Sequence, residues 1–72
     1  MGLIMKLKKG SVLEETLLGD AFNYEIVSPV TVRKDKYSFV MQVISVAGKK
    51  IVNGYRANMT INKTSSRFKV IK

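Results

Sequence analysis

The chain has no cysteine, no histidine and no tryptophan, a single proline and only five acidic residues. Without cysteine there is no disulfide framework, and without cysteine or histidine there is no Cys/His zinc site. The same absences remove Ser-His, Cys-His and histidine general-base chemistry. The few carboxylates are poorly placed for catalysis. Glu14 and Glu15 are adjacent and diverge, while Asp20, Glu25 and Asp35 are scattered. They predict neither a catalytic pair nor an oxygen-rich metal loop. An enzyme is therefore not expected, nor is a cofactor or a metal ion. No apolar run reaches the roughly 18–20 residues that span a bilayer, so no integral membrane association is expected. The opening residues lack the pattern of an export signal, and a cytoplasmic location is expected. Met5, followed by Lys-Leu-Lys-Lys, is an alternative start to Met1.

What is present is a short, basic, half-apolar chain. Seventy-two residues allow one small domain, taken as residues 1–72. A hydrophobic share of 46% with 25% charged residues is the balance of a folded chain rather than a disordered one. Thirteen Lys/Arg against five Asp/Glu give a net charge of +8. The excess is uneven. All the acids precede residue 36, and residues 37–72 carry seven basic residues and no acid. Any anion-binding surface is expected in that second half.

Residues 3–9 alternate weakly and suit an edge strand that ends at Gly10. Ser11-Val-Leu-Glu14 has capping-box spacing, Leu13 and Leu17 lie four apart, and Gly19 follows, so a short helix over residues 12–18 is expected. From Phe22 the period becomes two. Pro29 interrupts it, and Lys34-Asp-Lys36 reads as a turn. Tyr37 to Val46 is apolar on both faces, which predicts a central or strongly curved strand. Ala47-Gly48-Lys49 predicts a hairpin with Gly48 at the first central position of a type II′ turn. Asn53-Gly54 is read as a bulge that bends one long strand. Tyr55, Ala57, Met59 and Ile61 then alternate with Arg56, Asn58, Thr60 and Asn62. Residues 67–72 are the last strand. Five or so short strands in so small a chain predict an all-β barrel with one N-terminal helix. The hydrophilic turn at 63–66 followed by Arg-Phe-Lys-Val-Ile resembles the closing segment of SH3-like barrels over roughly residues 37–72. A five-stranded SH3-like barrel is the expected fold, with an OB-like barrel as the alternative.

The basic second half directs the functional reading. If residues 55–62 and 67–72 form a hairpin, Arg56, Asn58, Thr60 and Asn62 share a face with Arg67 and Lys69. Lys63 sits in the connecting loop, and Lys49 and Lys50 flank from another turn. Arg and Lys neutralise phosphates, and Asn and Thr add hydrogen bonds to phosphates or base edges. The expected nucleic-acid contacts are thus Arg56, Asn58, Arg67, Lys69, Lys49, Lys50 and Lys63. DNA and RNA are equally compatible. Reversing Arg56 and Arg67 to Glu is expected to abolish binding and leave the fold intact. Tyr55, Phe39 and Phe68 fall on apolar faces and are expected in the core, which leaves backbone contact rather than base stacking as the mode. Tyr24 and Tyr37 lie near strand ends, where partial exposure is open to them, but core packing is expected for each rather than stacking. The alternative function is a protein-interaction module or accessory subunit, binding an acidic protein surface or a second copy of itself. For that role Leu17, Leu18, Ile51 and Val52 are the apolar residues nearest to turns.

Overall fold

The computed structural model describes residues 7–72. These residues form seven β-strands in order: β1 (Val12–Leu17), β2 (Asp20–Ile26), β3 (Thr31–Val32), β4 (Lys36–Val46), β5 (Lys49–Lys50), β6 (Arg56–Asn62) and β7 (Lys69–Val70). All belong to one antiparallel sheet. The edge strand expected over residues 3–9 lies mostly outside the described residues. Within it, Leu7 is buried in the core and Lys9-Gly10 form a turn.

The strand with apolar groups on both faces, β4, is the spine of the sheet. On one edge it pairs with β2 along Met41–Val46 and with β3 at Tyr37 and Ser38. Between them Pro29 breaks the ladder, since it has no N–H to donate. Ser28 repairs the break with its side chain. Its hydroxyl accepts from the Val40 amide at 2.8 Å and donates to the Pro29 carbonyl at 3.0 Å. On the other edge β4 pairs with β6 along Lys36–Gln42 and with β5 at Ser45 and Val46. Residues 51–55 leave that ladder and return to it, so the one long strand expected to bend at Asn53-Gly54 is two, β5 and β6, with an excursion between them. The return is tight: a Cβ on Gly54 would collide with the Val43 carbonyl. The Gln42 side-chain amide holds the excursion by donating to the Gly54 carbonyl at 3.1 Å.

The described residues contain no helix. Residues 12–17, expected as helical, are strand β1. Seven residues cannot sustain a helix without tertiary support. As a strand the same run bonds on both edges, to β2 from Val12–Glu25 to Leu17–Asp20 and to β7 at Leu13–Val70 and Glu14–Lys69. Its alternation, masked by the capping-box spacing, turns Leu13 and Glu15 inward. Ser11 does not cap a helix; its hydroxyl accepts from the Lys8 amide at 3.2 Å.

Two tight turns set the register of the long strands. Leu18 and Gly19 join β1 to β2 with φ of 51° and 86°, and Ala47 and Gly48 join β4 to β5 with φ of 52° and 82°. Positive φ at both central residues is the signature of a type I′ turn. Gly48 thus takes the second central position, not the first, and β5 starts one residue earlier than the type II′ reading requires.

The inner face gathers Leu7, Leu13, Tyr24, Ile26, Tyr37, Phe39, Met41, Ile61 and Phe68. The sheet curls around them as a half-barrel, with β6 and β7 at its outer edges. Phe39 and Phe68 are core residues, as expected. Tyr24 and Tyr37 are also buried, because each lies on the inward register of a strand that continues past it.

Candidate nucleic-acid interface

The hairpin expected between residues 55–62 and 67–72 does not form. β6 pairs with β4, and β7 pairs with β1 at the far edge of the sheet. The seven candidate residues are therefore divided. Lys49, Lys50, Arg56, Asn58 and Lys63 lie along one ribbon, β5 and β6 laid against β4. Arg67 and Lys69 lie elsewhere.

Arg67 is occupied. Its Nε donates to Oε2 of Glu15, a carboxylate that is 3% exposed on the inner side of β1. The same carboxylate accepts from the Tyr24 hydroxyl through Oε1 at 2.9 Å. The guanidinium also lies over the Phe68 ring, 4.8 Å from its centroid. Hydrogen bonding to Glu15 raises the Arg67 pKa above its ordinary value. Burial, reinforced by the Glu15 hydrogen bond and charge, pushes the Tyr24 hydroxyl up to about 12. This is a structural triad. Lys69 sits opposite Glu14 in the β1–β7 register, so an acid accompanies it.

The ribbon is different in character. Residues 49–64 contain Lys49, Lys50, Arg56 and Lys63 and no acid. Lys49 faces Val46 and Arg56 faces Gln42, about 13 Å apart along β4 at strand rise. Between them the 51–55 excursion carries Tyr55, which is 75% exposed. The alternation with Ala57 and Met59 places Tyr55 on the inward register, yet β6 begins only at Arg56. β4 donates its Val43 amide to the Tyr55 carbonyl at 3.0 Å, but the side chain is left exposed. Sequence reading placed this aromatic in the core. The signal available was its position directly after Asn53-Gly54, where the pattern restarts.

Beyond Arg56 the outer face of the ribbon is polar and uncharged. Asn58, Thr60 and Asn62 stand opposite Val40, Ser38 and Lys36. Ser38 and Thr60 share a hydrogen bond of 3.1 Å. A shallow depression of about 270 Å³ opens here, lined by Ser28, Thr31, Ser38, Val40, Asn58 and Thr60. Past its far end Lys63 donates its amide to the Asp35 carbonyl at 2.8 Å, but its ammonium lies 5.5 Å from the ring centroid of Tyr37, a residue of the inner face. The amide contact brings Lys63 to the β3–β4 turn, where Arg33, Lys34 and Lys36 surround Asp35. Of these, Lys34 and Lys36 were read only as a turn from sequence; the pairing of β6 with β4 makes all three neighbours of Lys63. The ribbon thus has cations at both ends, an exposed ring near one end, and hydroxyl and amide groups between.

Compared with known proteins, the chain matches no family model, no curated protein and no solved structure. The functional reading rests on this surface.

Proposed function

We propose that the protein is a non-enzymatic, barrel-like module that binds single-stranded nucleic acid along the β5–β6 ribbon. The observation that carries this reading is Tyr55, 75% exposed in an acid-free segment and placed between Lys49-Lys50 and Arg56. Single-strand binders combine a positively charged track for the backbone with aromatic rings on which bases stack. In this reading Tyr55 stacks on a base and Lys49, Lys50 and Arg56 neutralise the adjacent phosphates. Asn58 and the hydroxyls of the depression hydrogen-bond to sugar or base edges, and Lys36, opposite Asn62, holds the far end; Lys63, over the inner-face Tyr37 ring, leaves the contact set. Arg67 and Lys69 leave it too. The strand order supports an SH3-like barrel as the parent fold: β1, β2, β4 and β6 follow as a meander and β7 returns beside β1.

The test is fluorescence anisotropy with short single- and double-stranded DNA and RNA, at low and near-physiological salt, with heparin as a control polyanion. Single strands are expected to bind more tightly than duplexes. Tyr55→Ala is expected to weaken binding by about 5- to 150-fold, in line with about 1–3 kcal/mol per stacked base, while Tyr55→Phe retains it. Replacing Lys49 and Lys50 by Ala is expected to flatten the salt dependence by about 0.7 per lysine. Equal affinity for heparin, or no effect of Tyr55→Ala, would refute the assignment.

A further inference from the structure

The outer edge of β6 carries information that the binding reading does not use. We propose that two copies of this chain pair through β6, antiparallel about a two-fold axis at Met59, joining two half-barrels into one continuous sheet.

The first argument is which edges of the sheet are defended. Sheet edges are normally protected by lysine, proline, shortness or cover, because their free N–H and C=O groups recruit other strands. β3 and β7 are two residues long, with Arg33 after the first and Arg67 and Lys69 at the second. β6 has seven residues, pairs only with β4 among the described residues, and between Arg56 at its start and Lys63 just past its end carries no charge and no proline over six residues. In a chain of net charge +8 that is, among the described residues, the one long undefended edge.

The second argument is hydrogen-bond parity. The Val43 amide donates to the Tyr55 carbonyl, and the Lys63 amide donates to the Asp35 carbonyl. Residues 55 and 63 therefore turn their backbone groups toward β4. By antiparallel alternation so do Ala57, Met59 and Ile61. The backbone groups of Arg56, Asn58, Thr60 and Asn62 point to the free edge. A second β6 can bond there only where these four residues pair among themselves.

The third argument is what that constraint selects. With the axis at Met59, Asn58 meets Thr60 of the second copy and Arg56 meets Asn62, so all seven residues pair. Moving the axis to Asn58 or to Thr60 keeps the parity and pairs only five. The seven-residue register also sorts the side chains. Ala57 meets Ile61 and Met59 meets Met59 on the inner face, the polar residues meet on the outer face, and no like charges stand opposite. Ala57 and Met59, only half-buried in the single chain, gain cover. A closed two-fold pairing of this kind is isologous and stops at two copies.

The absence of cysteine makes the test clean. In this register the two Met59 residues form a non-hydrogen-bonded pair with Cα atoms about 4.5 Å apart, inside the disulfide range. Two Asn58 residues are diagonal to one another, beyond about 7 Å. Under mild oxidation Met59→Cys is expected to give a covalent dimer at least tenfold faster than Asn58→Cys. Light scattering on the unmodified chain at about 100 μM is expected to give twice the 8.1 kDa chain mass. Asn58→Pro removes a donor from the free edge but none from the β4 ladder, so it is expected to halve that mass with an unchanged circular dichroism spectrum. A monomer at this concentration, a larger ring, equal cross-linking of the two cysteine variants, or a dimer that survives Asn58→Pro would each overturn the proposal. So would protection of the β6 edge amides from hydrogen exchange in a monomer, which would place the cover within the chain itself.

Discussion

Glu15 is the residue on which the inner face depends most sharply. A buried carboxylate is tolerated only with partners, and this one has the Tyr24 hydroxyl and the Arg67 guanidinium. Arg67→Ala leaves the charge with one donor and is expected to cost about 1–3 kcal/mol in urea unfolding. Arg67→Glu sets a second carboxylate against the first and is expected to cost more. The double reversal that the sequence suggested as a binding test would therefore disturb the fold as well as the ribbon, while Arg56→Glu alone is a fair probe of the ribbon. Tyr24 gives the triad a pH signature. Its hydroxyl is raised from 10.0 to about 12 in the folded chain. Below pH 10 both states hold the proton and its contribution is constant. Between pH 10 and 12 the unfolded chain releases the proton first, so stability falls as pH rises. Tyr24→Phe is expected to remove that share of the alkaline slope in denaturation curves taken from pH 8 to 12.

At the scale of elements, the turns have room for improvement. Leu18 occupies the first position of a type I′ turn at φ 51° and is fully exposed, so its side chain contributes no burial. Asn is favoured there because its short polar side chain tolerates the left-handed region. Leu18→Asn is expected to stabilise the fold by about 0.5–1 kcal/mol, read as a higher melting temperature. Elements carried by alternation were legible in the sequence: the central strand from its apolar residues on both faces, the strand from Arg56 to Asn62 and the break at Pro29. Strand β1 was not, because residues 11–17 satisfy two periods at once and only the neighbours β2 and β7 decide between them. The candidate site was half legible. Lys49, Lys50, Arg56, Asn58 and Lys63 share a ribbon because local chain order keeps them together. The partners of β7 and Arg67 are set by residues more than fifty positions away, and no local pattern records that.

At the scale of the molecule, charge and shape are divided between two sides. The sheet's inner face holds the core and the Glu15 triad, and the ribbon at one edge holds an acid-free run of cations. The β1–β7 pairing that separates the two sets joins Leu13 to Val70, nearly the full length of the chain. Such a contact needs a long loop closure, and it yields few hydrogen bonds in return. The hairpins at Leu18-Gly19 and Ala47-Gly48 close over two residues and form on the microsecond scale. The chain should therefore assemble its meander first and dock β7 last, at rates set by topology rather than by local propensity. Until that docking, Glu15 has no guanidinium to meet, so the same late step that completes the sheet also neutralises its buried charge. Changes at Val70 or Arg67 then speed unfolding, whereas changes in the two turns alter the rate of folding.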